Sequence, residues 1–142
     1  MYNALGAEIA MLKEIKQDLV ANFLLQKSNL TEAQLDTLLA SETEGNLEFK
    51  SGLREKGRVS KGSFARSLGQ ARGNIQSAMY TFFLLAYLDL IPDGGLAQFY
   101  RTGKMFGELR SAEPSREDLL KVITAMEEFA ERFAGGKRRF IV

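Results

Sequence analysis

The chain has 142 residues, 45% of them apolar and 26% charged, enough for one domain with a core that needs no cross-links. It contains no cysteine and no histidine. That excludes disulfides and thiolate metal sites and removes the commonest general base and metal ligand, so no metal, no cofactor and no catalytic residue is expected.

The pattern reads as six helical segments and no strand, an all-α chain. Over residues 4–26, Leu5, Ile9, Leu12, Ile15, Leu19 and Phe23 recur at spacings of three and four, which predicts one long amphipathic helix. Such a helix either pairs with a second copy or packs on its own domain. The second helix opens on a capping box, Thr31 with Gln34, and on a staple of Leu30 with Leu35. It ends near Ser41, before a polar loop at 42–46. The third is short, residues 47–56, with Asn46 as cap, Leu47 or Phe49 and Leu53 inward, and Gly57 as the break.

The fourth helix starts at the Ser60 cap, with Val59 and Phe64 as a second staple. Its apolar stripe is Phe64, Leu68, Ala71, Ile75, Ala78 or Met79, Phe82, and Leu85 or Ala86. It runs to about Leu90, where Pro92 and the turn Asp93, Gly94, Gly95 stop it. Tyr80, Phe82, Phe83 and Tyr87 are expected in the core. A fifth helix covers 96–109. The sixth opens at Ser115, with Asp118 three residues on, and turns Leu119, Val122 or Ile123, Met126, Phe129, Ala130 and Phe133 inward. Gly135 and Gly136 end it before a basic arm, Lys137, Arg138 and Arg139.

These elements divide into an N-terminal helix (1–28), a core (29–91) and a C-terminal helical pair with its basic tail (92–142). The most apolar window, 78–91, is too short to span a bilayer and contains Asp89. No signal-peptide pattern opens the chain, so a cytoplasmic location without a membrane partner is expected.

Net charge is only +1, but it is unevenly placed. Residues 29–46 hold four acids and no base. Residues 50–72 hold seven bases (Lys50, Arg54, Lys56, Arg58, Lys61, Arg66, Arg72) and one acid, Glu55. Such a block is either a polyanion-facing surface or a solvated helix face. The layout around it, a short helix, a turn containing Gly57 and a capped second helix, is that of a helix-turn-helix, whose second helix enters the major groove.

On the face opposite the apolar stripe, Arg66, Gln70, Gly73 and Ser77 follow i, i+4, i+7 and i+11. Arginine can bond a guanine edge and glutamine an adenine edge, with Ser63 and Ser77 able to meet bases or phosphates. Ser60, Lys61, Gly62 and Ser63 sit at the helix N-terminus, where free N–H groups favour a phosphate. Arg54, Lys56, Arg58, Lys61 and Arg72 are the candidate phosphate-gripping bases. A competing use of this face is close helix–helix packing through Gly69 and Gly73. The glycines form no dinucleotide-binding or P-loop motif, because no strand precedes them. The acids Glu117, Asp118, Glu127, Glu128 and Glu131 read as a solvated face rather than a cation site.

Gly57, Val59, Ser60, Gly62, Ser63, Phe64, Arg66, Leu68, Ala71 and Arg72 together resemble the promoter-reading helix-turn-helix of bacterial sigma factors and related small regulators. The Thr31, Glu32, Ala33, Gln34, Leu35 segment is similar to the helix that opens such domains. The resemblance covers residues 54–91 and implies base or backbone contact in the major groove for Arg66 and its neighbours. The expected function is sequence-specific binding of double-stranded DNA by a homodimeric, non-enzymatic transcription regulator paired through its terminal helices. The alternative is a protein–protein adaptor or scaffold that binds no nucleic acid.

Overall fold

A computed structural model describes residues 12–43, 45–54 and 59–136. Among them every regular element is an α-helix: α1 (Leu12–Gln17), α2 (Leu19–Lys27), α3 (Glu32–Ser41), α4 (Leu47–Ser51), α5 (Lys61–Tyr87), α6 (Gly95–Ser111) and α7 (Arg116–Ala134). None of these helices is long and apolar enough to cross a membrane.

The caps fix most of the boundaries. Thr31 and Gln34 make the full capping box, with both reciprocal bonds at 3.1 Å. Asn46 accepts the Phe49 N–H, Ser60 the Ser63 N–H and Ser115 the Asp118 N–H. Three boundaries differ from the sequence reading, one of them the end of α5, which falls at Tyr87 and not near Leu90. The expected long first helix is interrupted at Asp18, whose extended backbone and carboxylate, accepting the Ala21 N–H at 3.0 Å, cap a new helix. The short third helix stops at Ser51, with Gly52 as its C-cap, instead of continuing to 56. Residues 52–60 therefore separate α4 from α5, longer than the three- to four-residue turn of a helix-turn-helix. The Val59 N–H returns to the Ser51 carbonyl at 3.4 Å and draws the ends of that connection together. Gly57 lies outside the described residues.

The chain divides into two compact units, residues 1–79 and 80–142, rather than at the sequence-derived boundaries. In the first, α1 packs on α2 and α3, and α3 on α4. Among its described residues the buried apolar side chains are Leu12, Leu25, Ala40, Phe64 and Ala71. Two of the buried polar side chains are bonded locally, the Thr37 hydroxyl to the Ala33 carbonyl and that of Thr43 to the Ala40 carbonyl. Asn74, midway along α5, donates its amide to the Asn29 carbonyl (2.8 Å) and to Gln34 Oε1 (3.0 Å). Gln34 thus both closes the α3 capping box and holds α5.

In the second unit an aromatic cluster joins the end of α5 to α6 and α7. The Phe82 ring lies 6.0 Å from that of Phe99 and 5.9 Å, edge-on, from that of Phe133, which stacks on Phe129. Gly95 is buried where α6 begins, and a Cβ there would stand 3.0 Å from the Phe133 ring. On α7, Leu119, Val122, Ile123, Met126, Phe129 and Phe133 are half-buried while Lys121, Glu128, Glu131 and Arg132 face out. The expected burial of four α5 aromatics is corrected. Phe82 is half-buried, but Phe83, Tyr80 and Tyr87 are 61%, 70% and 88% exposed. They lie on the side of α5 turned away from the cluster.

Phe64 has no accessible surface. Phe64→Ala is expected to destabilise the chain by about 3–5 kcal/mol, read as a lowered urea midpoint at unchanged slope.

Candidate nucleic-acid interface

The apolar spacing of α5 and its buried residues agree on which way the helix is turned. Phe64 and Ala71 are buried, and Leu68, Ala78, Phe82 and Leu85 are half-buried. Of the alternatives that spacing leaves open, Met79 and Ala86 are exposed, as is Ile75. A helix turns 100° per residue, so the opposite side carries Gly62, Arg66, Gly69, Gly73 and Ser77. Arg66, Gln70 and Ser77 are all exposed, and Ser63 is half-buried beside its cap. Lys61 and Arg72 are exposed along one flank. No carboxylate occurs anywhere in α5. The sequence-derived face is thus brought together on one helix, with a guanidinium, an amide and hydroxyls able to donate to acceptors on a polyanion.

The glycines leave this face open. A Cβ added at Gly62, Gly69 or Gly73 would meet nothing within 4 Å. Among the described residues they serve no close helix packing, although glycine in a helix interior costs about 1 kcal/mol relative to alanine.

Arg54 is placed elsewhere than expected. Its side chain is only 8% accessible, and its Nε lies 3.6 Å from the Asp36 carboxylate, itself 3% accessible. The Nε is buried, and the distance to Asp36 is too long for a hydrogen bond. Arg54 therefore ties the start of the 52–60 connection to α3 and does not offer its charge to a phosphate. Two further expected bases, Lys56 and Arg58, lie outside the described residues, as does the 137–139 basic arm. The exposed cations of the block are thereby Lys61, Arg66 and Arg72 among the described residues.

Local pattern does not reveal two positioning residues. Asp36 sits in a helix as an ordinary acid, and only the fold shows Arg54 as its partner. Asn74 lies between two half-buried turns of α5, and its bonds to Asn29 and Gln34 span some forty positions of sequence. No three acidic side chains gather as a cation site among the described residues.

No protein-family model, no curated protein and no solved structure matches the chain.

A buried charge stripped of its partner is costly, whereas an exposed one is not. Arg54→Ala is expected to lower stability by about 3–5 kcal/mol, and the apolar pair Asp36→Leu with Arg54→Met to restore most of it. Arg66→Ala should stay within about 0.5 kcal/mol of the parent. Chemical denaturation of the four chains makes the comparison.

Proposed function

We propose that this chain binds double-stranded DNA sequence-specifically through the outward face of the first half of α5. It acts as a cytoplasmic transcription regulator, without enzymatic activity and as a homodimer. The observation that carries the reading is the acid-free, outward-facing set of Arg66, Gln70 and Ser77, flanked by Lys61 and Arg72. In this reading the first half of α5 is the recognition helix, held by Asn74 to the Gln34 end of α3. Arg66 and Gln70 read base edges, Ser63 and Ser77 assist, and Lys61, Arg72 and the Ser60 end of the helix hold phosphates. The open Gly62, Gly69 and Gly73 let the sugar–phosphate backbone come close to the helix. Two copies reading two half-sites multiply the specificity of one helix.

A second reading is favoured by one observation. The space above Gly69 and Gly73 also fits a helix of a protein partner, which makes the chain an adaptor.

The two differ in what they need. Under DNA binding, Lys61→Ala with Arg66→Ala weakens affinity by about 1–3 kcal/mol for each base edge that is no longer bonded. The same double variant lowers the salt slope by about one for each phosphate that is no longer neutralised. Fluorescence anisotropy of a labelled duplex measures both. Unchanged affinity and slope in a folded double variant would sink the DNA reading. Failure to bind a protein partner on Gly69→Leu, with that double variant still competent, would establish the adaptor.

A further inference from the structure

Beyond the buried stripe of α5 there is a second apolar stripe that none of the described residues of the second unit covers. Tyr80, Phe83, Leu84, Tyr87 and Leu88 follow i, i+3, i+4, i+7 and i+8, the template of a core-facing helix. They are nonetheless 70%, 61%, 57%, 88% and 52% exposed. Phe82 and Leu85, on the other side of the same turns, already fill the inward stripe. A helix apolar on both sides belongs inside a larger helical assembly or a membrane, and no described helix is long and apolar enough to cross one.

We infer that this stripe is the pairing face of a homodimer, with the same stripe of a second copy as its occupant. The inference rests on the homodimer part of the proposed function and is independent of the DNA part.

Two observations select a second copy. The first is area. With aromatic side chains offering roughly 150–250 Å² each and the two leucines somewhat less, five that are half or more exposed present on the order of 600 Å². That stands at the top of the usual range for the largest patch of a monomer, about 300–600 Å², and approaches the roughly 800 Å² per partner of a stable interface. The second is charge. From Gly73 to Leu88 there is neither acid nor base. Around a two-fold axis each residue near the centre meets its own counterpart, so any charge there would face its like. A charge-free, aromatic-rich stripe meets that condition, whereas a partner chosen by charge would find nothing on it to recognise. α7 does not compete as the pairing element, because its outer side carries Lys121, Glu128, Glu131 and Arg132.

The test is the solution mass of the full chain by light scattering, for the parent and for Leu84→Glu. Leu84 points away from its own unit's cluster, so circular dichroism should report the same helix content for both. The parent is expected as a dimer with a Kd of about micromolar or tighter. Leu84→Glu should fall to the 15.8 kDa of one chain, and Leu84→Met should remain dimeric. Because the chain has no cysteine of its own, Leu84→Cys adds a clean second readout, a disulfide between copies on mild oxidation. A monomeric parent overturns the inference, also if that monomer binds phosphatidylcholine vesicles. A dimer unmoved by Leu84→Glu overturns it too. A monomer that still binds duplex would remove the pairing face and leave the DNA reading standing; a dimer that ignores duplex would do the reverse.

Discussion

The rotation of α5 about its own axis governs what the rest of this chain can do. Phe64 and Ala71, both without accessible surface, mark the inward side. The Asn74 amide locks that setting by bonding the Asn29 carbonyl and Gln34, which itself caps α3. Turning the helix by one residue would move each side chain by 100° and draw polar side chains toward the place that Phe64 fills. With that rotation fixed, the first half of α5 turns a polar and basic side outward; in the other unit, the end of α5 has its own exposed apolar and aromatic side.

Those two surfaces have different physics. The first half of α5 has no acid and three open glycines, and its Arg66 and Arg72 are exposed to water, where a charge keeps long-range attraction for a polyanion. The second half has no charge and an apolar stripe on each side. The inward stripe packs on Phe99 and Phe133, and the outward stripe is not covered by the described residues of its own unit. The proposed reading and the proposed pairing use separate stretches of α5, so a change in either stretch should leave the other intact.

Much of the fold is legible locally because caps are local. Thr31 with Gln34, Asn46, Ser60 and Ser115 each announce a helix start within four residues, and each accepts the N–H that its position requires. The break at Asp18 is hidden because the apolar spacing runs through it unbroken, and a capping carboxylate looks the same in sequence as a solvated one. The early end of α4 is hidden for a similar reason. Leu53 and Arg54 suit a helix, but Arg54 is drawn to Asp36, a partner eighteen positions earlier that no periodicity reveals. The basic block accordingly overstates the exposed charge, since one of its cations serves the interior. The second half of α5 misleads in another way. The spacing that starts at Phe64 selects Phe82 alone for the inward stripe, but the apolar character of its neighbours draws the other three aromatics into the expected core as well. Pattern alone therefore places Tyr80, Phe83 and Tyr87 in a core that contains only Phe82 of the four.

Titrating a labelled mixed-sequence duplex with the full chain at several salt concentrations tests the central claim most directly. If the start of α5 faces DNA, binding is micromolar or tighter at low salt, and log affinity falls linearly with log salt, by about 0.9 for each phosphate neutralised. No binding even at low salt, or binding indifferent to salt, would contradict it.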